Sequence, residues 1–355
     1  MRKGGRWLAA LGILGAVGVM AVFLPDLLDP YRLPRGDWRV FQKNFVSPDG
    51  RVIDTGNADI THSEGQGYAL LIALAYQDRA AFDRIWTWTR ENLQTRPNDK
   101  LISWLWKPDG KGGGAVSDPN NASDGDLLVA WALVRAHRLW QDFSYQQAAL
   151  QILSDLARLD VVEGGGRILL LPGTDGFVKD EGLTLNPSYS VFPALAELAE
   201  LVPTGPWKDL EQSGTTLIEQ ARFGEWQLTP DWVLVGETVS LSPDFPPLFG
   251  YNAVRVPLHI GWQNPRSPLM QPFAEFWKNH TGPTMPATVN LETGAFGPDP
   301  ALPGMRAIAT FAMACAENRH LTVRDLPALK WEEPYFSASL NLLTKIAVRE
   351  AFGPK

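Results

Sequence analysis

The amino-acid sequence predicts an all-α fold: a toroid of about six helical hairpins, an inner ring of helices wrapped by an outer ring. Three observations predict it. Helical patterns come in pairs, one apolar nearly all round and one amphipathic, and an all-round apolar helix is a buried helix. The first four apolar members begin near residues 64, 124, 186 and 250, a step of roughly 60 residues that marks repeated supersecondary units. No linker or low-complexity tract interrupts the 355-residue chain after residue 37, so the units form one body.

The N-terminus reads differently. Arg2, Lys3 and Arg6 precede an uncharged apolar run over residues 7–24, closed by Pro25 and Asp26. A basic start before such a run is the pattern of an export signal, and the run just reaches the length of a bilayer span. Residues 1–30 are therefore expected to be a signal peptide or a membrane anchor. The chain is then exported, periplasmic or secreted, and touches a membrane only through this segment.

The pairs follow in order. Residues 68–77 precede 79–92, 126–140 precede 144–159, 188–201 precede 206–221, and 253–262 precede 268–280. The patterns over 305–318 and 336–352 come last. The Gly/Pro/Asn-rich stretches 107–121 and 241–250 read as loops. Residues 167–173 and 231–241 predict short strands at one rim.

Composition excludes several kinds of chemistry. The net charge of -7 argues against nucleic-acid binding. One cysteine excludes an internal disulfide framework. The five histidines show no metal-ligand spacing. There is no G-x-S-x-G elbow, and KGGGAVS lacks the ending of a phosphate loop. No cofactor or metal is expected, and carboxylates are left to carry the chemistry.

Two acidic motifs open inner helices. In ADITHSEGQGYAL, Ser63 is the expected N-cap and Glu64 enters the first turn. Gly65 and Gly67 weaken that turn, which favours a ligand-facing role for Glu64 over simple capping. In NNASDGDLLVAW, Ser123 is the expected cap, Asp124 is the stronger functional candidate, and Asp126 reads equally as a capping residue. If both helices run the same way, Glu64 and Asp124 meet at one open end. Paired carboxyls at a cleft suit glycoside hydrolysis, where one group donates a proton and the other stays ionised. SWLW offers Trp104 and Trp106 on one side of an extended segment, as sugar-stacking or core residues. Tyr189 stands at a third inner-helix start, and Trp86 and Trp88 read as core.

These motifs resemble glycoside hydrolase family 8. The blocks are FVSPDGRVIDTGNADITHSEGQGYALLIAL, NNASDGDLLVAWALVRAHRLW, LNPSYS, PDWVLV and FGYNAVRVPLHIGW. They look most like the periplasmic endoglucanases encoded beside bacterial cellulose synthases. The resemblance implies an (α/α)6 barrel catalytic domain over residues 31–355. It implies an endo-acting, inverting hydrolysis of β-1,4-glucan in support of cellulose synthesis or export. The partners would be the glucan and the cellulose synthase complex. It implies that Glu64 is the general acid and that Asp124 holds the distorted central sugar. Tyr189 and Arg255 would shape the central subsite, and Trp106 would stack on glucose. In close relatives the fifth block reads Tyr-Asp-Ala-x-Arg, with that Asp as general base; here it is Tyr251, Asn252, Ala253, Val254, Arg255. An amide accepts no proton from water, so Asn252 would hold the water, with Asp124 or Asp244 as candidate bases. The departure leaves two alternatives: chitosan or xylan as substrate, or a glucan-binding scaffold that has lost catalysis.

Overall fold

The computed structural model describes residues 29–354; the expected targeting segment, residues 7–24, lies outside them. Eleven α-helices and short strands build the described chain.

The helices divide by burial. Helix α1 is Arg35–Phe45, α2 is Ser63–Ala75, α3 is Arg79–Asn92, α4 is Ser123–Trp140 and α5 is Phe143–Leu159. Helix α6 is Phe192–Leu201, α7 is Trp207–Gln220, α8 is Arg255–Gln263 and α9 is Gln271–Asn279. Helices α10, Pro303–Ala316, and α11, Tyr335–Phe352, end the chain. In α2 nearly every side chain from Ser63 to Leu74 is buried, and in α4 so is each one from Ser123 to Val134. Helix α5 buries only Tyr145, Ala149, Ile152, Leu153 and Leu156, one stripe at helical spacing.

Inner helices α2, α4, α6, α8 and α11 touch in succession, and α11 returns to α2, closing the ring. Helix α10 packs against both α8 and α11 and completes the inner layer of an (α/α)6 barrel. The hairpin rule ends at α10. The last two patterns do not form an inner–outer pair, because both helices are largely buried and pack on each other. Helix α1 lies against α11 instead, and a buried ion pair between Asp37 and Lys345 ties the two.

The core is one continuous cluster from Leu33 to Val348, with a smaller one under the β-sheet of residues 178–241. Among the described residues no helix is long and apolar enough to cross a membrane.

Strands gather at the rim. Strand β1, Thr61–His62, pairs antiparallel with β2, Ser103–Pro108, with His62 opposite Leu105. Strand β2 pairs with β3, Gly114–Asn121, so most of the stretch expected as a loop over 107–121 is strand. Register shifts on both sides of Leu105 put the extra residues in β3, where Ser103, Leu105 and Trp106 face Asn121, Asp118 and Val116. The expected strands over 167–173 and 231–241 form as β5, Arg167–Leu170, paired with β4, Val161–Gly164, and as β6, Val233–Val235, paired with β7, Val239–Leu241.

Two helices approach closely where the site is built. A Cβ on Gly125 of α4 would stand 2.2 Å from Ser63 Oγ, and one on Gly67 of α2 would stand 2.6 Å from Leu128 Cβ. These glycines serve contact between α2 and α4, not the ligand approach read from the sequence.

Candidate active site

The site lies where the inner helices begin. Glu64 is in the first turn of α2, Asp124 in the first turn of α4, and Arg255 opens α8. Tyr189 ends the 3-10 turn Pro187–Tyr189 ahead of α6. The Ser63 and Ser123 caps are each displaced by one residue. His62 caps α2 by accepting the Gly65 N–H, and Ser63 is already helical, its hydroxyl buried without a partner. Ser123 donates instead to the Leu171 carbonyl at 2.6 Å.

Arg255 organises the centre. Its Nη1 donates to Glu64 Oε2, to Asp124 Oδ2 at 3.1 Å and to Tyr68 OH at 3.1 Å. Its Nη2 donates to Asn252 Oδ1 at 2.8 Å. The guanidinium lies over the Tyr189 ring at 5.9 Å. Arg255 is 2% exposed and Asp124 1%, so both charges depend on these partners.

The two carboxyls share one donor, Arg255 Nη1, and they titrate apart. Burial raises the Glu64 carboxyl, but the Arg255 charge outweighs it and holds it below the ordinary range. Burial and the Glu64 charge push Asp124 up to about 8, against the pull of Arg255. At neutral pH the pair shares one proton.

Surrounding residues fix this geometry. Asp231 Oδ1 accepts the backbone N–H groups of Gly250 at 3.1 Å, Asn252 at 3.1 Å and Ala253 at 2.7 Å, and so sets the turn that presents Asn252 and Arg255. Asp126 accepts Ile102 N–H at 2.8 Å and Asn121 Nδ2 at 2.8 Å. It is a strut under α4, not the cap it resembles in sequence. Asn121 Nδ2 also donates to Asp160 at 2.5 Å. Among the described residues, no cluster of three or more His, Cys, Asp or Glu is arranged to hold a metal ion.

Comparison with known proteins decides the family. The family model for glycosyl hydrolases family 8 matches residues 22–350. The chain belongs to glycosyl hydrolases family 8. It is 37% identical over 350 residues to a probable endoglucanase of Novacetimonas hansenii, covering 97% of this chain and 98% of that one. It is 36% identical to an endoglucanase of Cellulomonas uda, covering 88% of this chain and 87% of that one. The crystal structure of the family 8 endoglucanase Cel10 from Klebsiella pneumoniae superposes with a TM-score of 0.81 at 35% identity, over 89% of this chain and 99% of that one. The endo-β-1,4-glucanase CMCax of Acetobacter xylinum gives a TM-score of 0.79 at 38% identity, over 89% and 98%.

In this family 8 chain, Glu64, Asp124, Asn252, Arg255 and Tyr189 meet at one point. Trp106 does not join them by any direct contact to Arg255. Its indole is 8% exposed, with Arg51 over its ring at 4.6 Å and Trp88 edge-on at 5.6 Å. Asp244 sits at the rim, 3.1 Å from Lys179, its side chain 46% exposed. Trp86 and Trp88 are buried, as read. Sequence reasoning missed Tyr68, Asp231 and His62. Tyr68 lies one helical turn after Glu64, so spacing i, i+4 was the available signal.

Proposed function

We propose that this family 8 chain is an endo-acting β-1,4-glucan hydrolase that inverts the anomeric centre. Its endoglucanase relatives, matched over nearly the full length, support the substrate and reaction class. The observation that carries the mechanism is that both carboxyls accept from one nitrogen, Arg255 Nη1. Retaining pairs stand about 5–5.5 Å apart and inverting pairs about 6.5–9.5 Å. Glu64 Oε2 and Asp124 Oδ2 accept from that same nitrogen, which holds them closer than an inverting acid–base pair. Asp124 is therefore not the base that pairs with Glu64 across a water.

Asp124 instead supplies the proton. It passes the proton to the Glu64 carboxyl beside it on Arg255, and Glu64 gives it to the departing glycosidic oxygen. Asp124, now ionised, stabilises positive charge on the reacting sugar. Arg255 and Tyr189 shape that subsite. Asn252 holds the attacking water. Arg255 is donor-only and takes the Asn252 oxygen, so the amide N–H is what remains to bind water oxygen. The water attacks a centre that already resembles an oxocarbenium ion, and its proton passes to solvent. Arg51 covers one face of Trp106, so stacking on glucose would use the opposite face.

The basic residues and apolar run at the N-terminus support export, to the periplasm or beyond, with residues 7–24 as signal or anchor. We assign the enzyme to trimming glucan during cellulose synthesis, beside the synthase complex.

Proton NMR of cello-oligosaccharide cleavage tests the stereochemistry. The α-anomer appears first if the enzyme inverts; β-anomer as the initial product refutes the mechanism. Reducing-end release from carboxymethyl cellulose, chitosan and xylan in parallel tests the substrate, and cellulose is expected to lead.

A further inference from the structure

Glu64 stands on the first turn of α2, and the side chain that caps this turn is a histidine. His62 Nδ1 accepts the Gly65 N–H at 3.0 Å. A nitrogen that accepts carries no proton, so the ring proton is on Nε2. That nitrogen faces Asp54 Oδ2 at 3.6 Å. Asp54 is fixed in turn, because its Oδ1 accepts the Gly56 N–H at 3.1 Å. The His62 ring packs edge-on against Tyr335 at 5.7 Å, and its backbone pairs with Leu105 of β2. Ser, Thr, Asp and Asn are the usual caps. Histidine here does what the shorter ones do not: it reaches a second carboxylate while holding the turn.

We propose that Asp54 and His62 form a positioning dyad for the general acid. Asp54 orients the imidazole, and Nδ1 of the imidazole fixes the first turn of α2, so that the Glu64 carboxyl keeps its place against Asp124 and Arg255. The dyad rests on the reading of Glu64 as the acid. The titratable groups facing the ring are Asp54 from the segment before β1, Glu64 from α2, Asp124 from α4 and the Tyr335 phenol from α11. The carboxylates draw His62 toward protonation, whereas the Gly65 N–H needs Nδ1 bare. The cap thus belongs to the neutral ring.

A leaving group that needs no proton separates positioning from general support of the fold. Dinitrophenolate departs unprotonated, so a dinitrophenyl cello-oligosaccharide bypasses the acid. His62→Ala is expected to lower kcat on carboxymethyl cellulose about tenfold with KM unchanged, while dinitrophenyl turnover changes less than about twofold. His62→Asn, whose amide oxygen can accept the Gly65 N–H, should recover most of the kcat. Parallel loss on both substrates, no loss on either, or a His62→Asn variant as poor as His62→Ala would overturn the dyad. Glu64→Gln in the same assay keeps the two claims apart. If it cuts carboxymethyl cellulose at the wild-type rate, the acid assignment itself is wrong. If it is inactive while His62→Ala is fully active, only the dyad falls.

Discussion

Asn252 gives its side-chain oxygen to Arg255, which donates from Nη2 at 2.8 Å. Arginine has no acceptor to offer in exchange, so the amide cannot turn round. The group left over is a donor. Replacing Asn252 by Asp keeps one oxygen on Arg255 and turns the other group into a proton acceptor. Asn252→Asp is expected to raise kcat on carboxymethyl cellulose by about tenfold or more. An unchanged or lower kcat would mean that water is activated from another position.

The proton on Asp124 sets an upper pH limit. Burial and the neighbouring Glu64 charge raise this carboxyl to about 8, and catalysis needs its protonated form. As pH rises through that value the proton is lost. The kcat/KM profile should therefore fall on the alkaline side near pH 8. Asp124→Asn has no proton to pass on, and a loss of about a hundredfold or more is expected. A flat profile between about pH 7 and 9, one decade either side of that value, would remove Asp124 from the proton path.

Contact between α2 and α4 is a second requirement. A Cβ on Gly125 would meet Ser63 Oγ at 2.2 Å, Ser63 Cβ at 2.8 Å and the Glu64 nitrogen at 3.0 Å. Rotating the serine relieves only the first of these. Gly125→Ala should cost about 1–3 kcal/mol of stability by overpacking and displace Glu64, lowering kcat more than it raises KM. Thermal denaturation with steady-state kinetics measures both.

Stability should also respond to pH through Asp160. Burial raises this carboxyl to about 6, although Asn121 and Thr174 donate to it. Its ordinary value is about 3.9. The folded state holds the proton more tightly, so the stabilisation is complete below about pH 4 and is lost as pH rises through 6. The difference corresponds to about 2–3 kcal/mol. Urea unfolding from pH 4 to 7 should show this loss in the wild type and a flatter dependence in Asp160→Asn.

The helix pairs were legible because burial writes itself into periodicity: α2 is apolar all round, while α5 carries one stripe. Glu64 and Asp124 were legible because each opens an inner helix, and parallel inner helices bring their first turns together. What stayed hidden depends on partners remote in sequence. Helix α1 packs on α11 with Asp37 paired to Lys345 near the other end of the chain, a contact that no local pattern shows. Trp106 looked like a free platform until Arg51 came to lie over it. Asp126 had the position of a cap, and only the fold brings Ile102 and Asn121 to it. The Ser63 cap was misplaced by one residue because His62 caps through a ring nitrogen, which residue-type preference does not favour, and the Ser123 hydroxyl is taken by the distant Leu171 carbonyl. Gly67 and Gly125 stand where helices touch, and a single sequence does not separate that role from ligand access.

The most direct test of the central claim is reducing-end release from carboxymethyl cellulose by Glu64→Gln beside wild type. Circular dichroism and melting temperature would be matched first. Glutamine keeps the shape and can still accept from Arg255, but it cannot give a proton to the leaving oxygen. Loss of at least about a hundredfold in kcat with the fold intact is the predicted result. Wild-type turnover in a folded Glu64→Gln protein would contradict the account.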